Sequence, residues 1–159
     1  MKKKSEYYGY PLYSPEELPE FPDDLSEAQW RARLTPAQYR VLREGHTEPP
    51  GSGEYDHHNR EGIYYCAAGG APLFSSADKF DSGSGWPSFT QPVDTQAVIL
   101  VQDNGLGMQR IEVLDARTGS HLGHVFADGP PPTGLRFCIN SLALVFAAKN
   151  EQPEIPQPS

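Results

Sequence analysis

From Gly62 to Ala147 the chain is a succession of short apolar runs: GIYYCA at 62–67, AVILVQ at 97–102, QRIEVL at 109–114, HLGHVF at 121–126, LRFCI at 135–139 and LALVFA at 142–147. Each is rich in β-branched or aromatic residues and is bounded by Gly, Pro, Asn or Asp, which is the pattern of strands. Between the second and third runs, QDNGLGMQ reads as a hairpin turn with Asn104-Gly105 at its centre. Only two helices are predicted. Ser26 to Leu34 is a short one with Trp30 and Leu34 one turn apart. Thr35 caps the next, with Pro36 at its first position, Gln38 completing a capping box and Gly45 ending it. The expected architecture is mainly β, an antiparallel domain with a short helical N-terminal cover.

Two long connections, 45–61 and 68–96, carry no regular pattern, and loops of that length in a compact domain are functional or disordered. The second holds Trp86 and Phe89, which argue for order. The 159 residues suffice for one domain with its own core. The hydrophobic content of 37% is low for that length, and the deficit lies at the proline-rich, acidic ends. We therefore expect a peripheral or disordered leader at 1–24, a folded unit at 25–147 and a disordered tail at 148–159.

The charge of −8 offers no clustered cations for phosphates, so nucleic acid is not an expected partner. No stretch approaches a membrane span, and MKKKSEYYGY lacks the apolar run of a signal peptide. Two cysteines do not make a disulfide scaffold, and a cytoplasmic monomer is the expectation.

Chemistry is concentrated in three places. Along the strand 136–140, alternation puts Arg136, Cys138 and Asn140 on one face and turns Phe137 and Ile139 to the core. A guanidinium favours a thiolate, and an amide can orient a substrate or a water, so this stretch fits a reactive thiol. It fits a small buried cysteine with surface neighbours equally well. The turn DSGSGWPSF at 81–89 presents Trp86 either as a core plug or as an apolar wall for a ligand methyl group. In SHLGHVFADGP, at 120–130, strict alternation would send His121 and His124 to opposite faces. A joint role in proton transfer therefore requires a bulge or bend, marked by Gly123. The HxxH spacing also permits a metal, but no acidic or cysteine ligand stands nearby in the sequence to complete the site.

Taken together and in order, YYCAAGGAPLFSSADKFDSGSGWPSF, RIEVLDARTGSHLGHVFADGP and TGLRFCINSLALVF closely resemble the methionine sulfoxide reductase type B family. The likeness runs from about Trp30 to Phe146, more loosely through LTPAQYRVLREGHTEPP. It implies the β-tent-like fold of that family and reduction of the R epimer of methionine sulfoxide in proteins or peptides. By this resemblance Cys138 is the nucleophile, left as a sulfenic acid. His124, assisted by His121, protonates the departing oxygen, Arg136 stabilises the thiolate, and Asn140 holds substrate or water. Trp86, Phe89 and Asp128 are assigned to substrate binding, with Trp86 against the ε-methyl group. Asp128 matches a position that supports the site, though a plain turn residue fits there as well.

The chain departs from the family pattern twice. Where many members carry four zinc-binding cysteines, it has Cys66, Gly69, Asp115 and Thr118, so no zinc or other cofactor is expected. Where many carry a resolving cysteine it has Ser84, which leaves Cys66 as the one candidate resolving thiol. The favoured expectation is direct reduction of Cys138 by an external thiol, thioredoxin or a low-molecular-weight one. The alternative from another class is a non-catalytic module that binds an oxidised or modified ligand on the same fold.

Overall fold

The computed structural model describes residues 5–105 and 109–157. Its strands are β1 (Ser5–Tyr7), β2 (Tyr10–Tyr13), β3 (Gly62–Cys66), β4 (Pro72–Ser75), β5 (Lys79–Phe80), β6 (Ser88–Phe89), β7 (Val98–Asp103), β8 (Arg110–Asp115), β9 (His121–Phe126), β10 (Arg136–Ile139) and β11 (Leu144–Ala148). They form an eight-stranded sheet in the order β1-β2-β7-β8-β9-β10-β6-β5 and a three-stranded sheet in the order β11-β3-β4. All pairings are antiparallel except β2 with β7. The mainly β expectation therefore holds. The six strand runs read from the sequence become β3, β7, β8, β9, β10 and β11, each shifted by a residue or two at most.

The two sheets meet through an aromatic layer. Phe74 of the small sheet stacks on Phe89 of the large one, with ring centres 4.5 Å apart, and Tyr64 meets Phe89 edge-on at 5.2 Å. Phe137 completes the layer beside Phe74. All four are fully buried. Such aromatic pairs add to the burial of large apolar area, which is the main stabilising contribution here.

Helices α1 (Glu27–Arg33) and α2 (Pro36–Glu44) each begin with a complete capping box, Ser26 with Gln29 and Thr35 with Gln38. Gly45 ends α2 at a φ of 71°, a conformation that glycine adopts without a Cβ clash. Trp30 of α1 is fully buried and donates its indole N–H to Asp24. Arg43 of α2 ties the helical cover to the sheet by donating to the Thr118 carbonyl and the Ser120 hydroxyl.

Three expectations need correction. The leader is not peripheral: β1 and β2 extend the large sheet, and Tyr10 and Leu12 enter the core. These alternate positions of β2 bury while Pro11 faces outward, as the alternation of a strand requires. In the tail, 149–157 has no regular secondary structure, yet Ile155 lies against Gly70 and Glu151 pairs with Arg60. In the β7–β8 hairpin, Asn104-Gly105 starts the connection instead of centring it, with the Gly105 N–H bonded to Asp103. Residues 106–108 of that predicted turn lie outside the described residues.

Among the described residues no helix is long and apolar enough to cross a membrane.

Candidate active site

Strand register builds the site. Glu112, His124, Cys138 and Ser88 are successive cross-strand partners on β8, β9, β10 and β6. Directly opposed residues have Cβ atoms about 4.5–5.5 Å apart, so His124 and Cys138 are immediate neighbours on one face. A cavity of about 220 Å³ opens over this row, lined by Ser84, Trp86, His124, Arg136, Cys138 and Asn140 among others. The face predicted for Arg136, Cys138 and Asn140 is thus the one that lines the cavity, and Phe137 and Ile139 are fully buried behind it.

A β-bulge brings the two histidines together. Val113 pairs with Gly123 and Leu114 with His121, so Leu122 is the extra residue and the phase of β9 shifts between the histidines. Their rings meet edge-on with centres 5.6 Å apart. Gly123 has a different task from the bend assigned to it: a Cβ there would run into the Cys138 carbonyl, so glycine lets β9 and β10 close.

Carboxylates absent from the sequence reading complete the histidine cluster. Nδ1 of His121 lies 2.6 Å from Oε2 of Glu112, and Nε2 of His124 lies 3.1 Å from Oδ2 of Asp103. Carboxylates only accept, so in their neutral forms the histidines carry their protons on these nitrogens. Nε2 of His121 is buried without a partner. The acids thus come from β8 and β7, although among the described residues no group of three or more acidic, histidine or cysteine side chains is placed to hold a metal ion.

Burial dominates the electrostatics. It pushes the Cys138 thiol above its ordinary value of 9.0, against the charge of Arg136 and hydrogen bonds from Ser84 and Arg136 that pull it down. Burial likewise holds His124 below 6.5, partly offset by the bond to Asp103, while the charges of His121 and Arg110 lower it further. The resting site is therefore a neutral thiol beside a neutral imidazole.

Arg136 is also shared. Its Nε and Nη2 bond the two Asp128 oxygens at 2.9 and 3.2 Å, and its guanidinium lies 4.6 Å from the Phe126 ring centre. Asp128 is outside the cavity lining and reaches the site only through Arg136. The Asn140 side chain is committed to the backbone, donating to the Leu122 carbonyl and accepting from the Glu48 N–H. Trp86 is half-buried at the cavity wall, its indole N–H donating to the Glu48 carbonyl at 2.9 Å. Glu48, itself buried, accepts from the N–H groups of Ser141 and Leu142, so the 45–61 loop is locked onto the site.

Phe89 does not belong to the substrate surface. It is fully buried against Phe74, because alternation along β6 puts Ser88 on the site face and Phe89 on the core face.

Cys66 lies on β3 in the other sheet, fully buried, its thiol pushed far up by burial and by Asp115. It is outside the cavity lining, and both cysteines are free. The positions that match the family's zinc ligands do not fit a tetrahedral thiolate site. Oδ2 of Asp115 already accepts from the N–H and the hydroxyl of Thr118, and the Thr118 methyl fills the space a Cβ on Gly69 would need.

The SelR domain family model matches residues 34–148. The chain is 59% identical over 125 residues to the peptide methionine sulfoxide reductase MsrB of Thiobacillus denitrificans, covering 79% of this chain and 95% of the relative. To the protein of the same name from Thioalkalivibrio sulfidiphilus it is 55% identical over 130 residues, covering 82% and 95%. To that of Bradyrhizobium diazoefficiens it is 59% identical over 124 residues, covering 78% and 89%. The cavity, its cysteine and its histidine pair thus belong to a chain that is a member of the SelR family, that of the type B methionine sulfoxide reductases.

Proposed function

We propose that the chain is an oxidoreductase that reduces the R epimer of peptide-bound methionine sulfoxide to methionine, with Cys138 as the nucleophile. The observation that carries this reading is the pairing of His124 with Cys138 across β9 and β10 inside a cavity walled by Trp86. A sulfoxide needs a nucleophile at sulfur and a proton at oxygen, and that pairing offers both on adjacent side chains.

Cys138 starts as a thiol and passes its proton to His124, whose imidazolium Asp103 stabilises. The thiolate attacks the sulfoxide sulfur to form an S–S bond, and His124 returns the proton to the oxygen as the S–O bond breaks. The hydroxide so released adds to the Cys138 Sγ as the S–S bond breaks. Methionine leaves reduced by two electrons and Cys138 is oxidised to the sulfenic acid, with no net uptake of protons. Glu112 holds the His121 ring beside His124, and Asp128 steadies Arg136, whose charge favours the thiolate. Trp86 receives the ε-methyl group, and Asn140 keeps Glu48 and hence Trp86 in place.

A first external thiol then condenses with the sulfenic acid, releasing water, and a second thiol, or the partner thiol of thioredoxin, regenerates Cys138. Burial of Cys66 in the other sheet favours this direct route over internal resolution. Mass spectrometry after one turnover without reductant tests it: a sulfenic acid at Cys138 is expected, and a Cys66–Cys138 disulfide would overturn direct reduction.

A further inference from the structure

Beside the Cys138 cavity lies a second one of about 370 Å³ that shares Arg110 and Phe126 with it, so the two form one groove. The second part crosses the ends of β7, β8 and β9 and uses none of the groups assigned to the chemistry. Its rim carries the exposed side-chain amides of Gln102, Asn104 and Gln109, and Ile111 and Val125 contribute apolar surface. Tyr7 of β1 forms a further wall, supported edge-on by Tyr8 at a ring distance of 4.8 Å. Burial, Tyr8 and the Asp128 charge all raise the Tyr7 phenol. Both tyrosines belong to the amino-terminal hairpin, outside residues 34–148 of the family match.

We propose that this second cavity holds the polypeptide segment flanking the oxidised methionine, with Tyr7 as a wall that the SelR domain itself does not supply. The proposal rests on the reductase reading above. Three features identify the occupant. The cavity is continuous with the site where the sulfoxide reacts. Its rim amides each offer a donor and an acceptor, as the main chain of an extended peptide does. Among the described residues its one cation, Arg110, is already paired with Asp103 at 3.2 Å, so these residues present no free charge by which to select flanking side chains. A lone methionine sulfoxide would fill the Cys138 cavity and leave this surface bare.

The test compares two substrates on the full chain: a single methionine-R-sulfoxide residue blocked at both ends, and a short blocked peptide with that residue between alanines. The wild type is expected to prefer the peptide in kcat/KM. Tyr7→Ala should reduce the ratio of peptide to single-residue kcat/KM about fivefold or more, mainly through KM, and Tyr7→Phe should retain it. Because the readout is a ratio, a general loss of folded enzyme cancels from it. An unchanged ratio in Tyr7→Ala, or equal use of both substrates by the wild type, would overturn the proposal. No reduction of either substrate by the wild type would overturn the reductase reading itself.

Discussion

Nε2 of His124 lies 3.1 Å from Oδ2 of Asp103, a contact that joins the proton carrier beside Cys138 to a carboxylate two strands away in the sheet. The carboxylate supports the imidazolium that proton transfer creates. Replacing His124 by Ala should slow Cys138 oxidation by about 10²–10⁴-fold in a single turnover. Asp103→Asn should slow it less and lower the His124 pKa further, which an NMR titration of the imidazole would record. An undiminished rate in His124→Ala would remove the histidine from the mechanism.

The Cys138 thiol is raised by burial and lowered chiefly by Arg136. Its alkylation by iodoacetamide should therefore increase with pH through a midpoint above 9.0, and Arg136→Ala should move that midpoint higher still. Cys66 should stay unlabelled while the chain is folded. A Cys138 midpoint below that of a free thiol would contradict the electrostatic description.

Ser84 stands within hydrogen-bonding reach of the Cys138 sulfur. In Ser84→Cys a second thiol is close enough to attack the sulfenic acid, so one turnover should yield an intramolecular disulfide in place of a dimedone-trappable sulfenic acid. Persistence of the dimedone adduct would show that the turn holds the two positions apart.

Phe89→Ala separates core from substrate surface. Loss of a fully buried aromatic should destabilise the fold by about 3–5 kcal/mol in urea titrations, with the KM of the remaining folded enzyme unchanged. A raised KM without loss of stability would return Phe89 to the binding surface.

Burial lowers His124 and His58 below 6.5 in the folded state, so below that pH the unfolded chain binds protons that the folded chain refuses. Their contribution to stability is complete above 6.5 and is lost as the pH falls through the folded values. The urea midpoint should decline on going from about pH 7.5 to about pH 5.5, a range in which the lowered carboxylates Asp103 and Asp128 stay ionised. A midpoint that rises over this interval would contradict the burial argument.

What could be read from the chain depended on the range of the interactions involved. Helix caps and strand alternation are local, and so Thr35, Gln38, Gly45 and the shared face of Arg136, Cys138 and Asn140 were legible. The need for a bulge between His121 and His124 was legible too, but its placement at Leu122 depends on pairing with β8. Asp103 and Glu112 join the histidines through the same long-range register, and the one local hint was the charged face formed by Arg110 and Glu112 on β8. Strands β5 and β6, of two residues each, are too short to show a period, so the sequence does not separate Phe89 of the core from Trp86 of the cavity wall. In the leader, prolines and acids masked the alternating Tyr10 and Leu12 that add β2 in parallel to β7.

The most direct test is a dithiothreitol-driven assay on separated R and S epimers of a blocked methionine sulfoxide, comparing the wild type with Cys138→Ser. The wild type should consume the R epimer and leave the S epimer, and Cys138→Ser should consume neither. R-epimer turnover that survives the substitution would contradict the assignment of Cys138, and no turnover by the wild type would favour a binding module on the same fold.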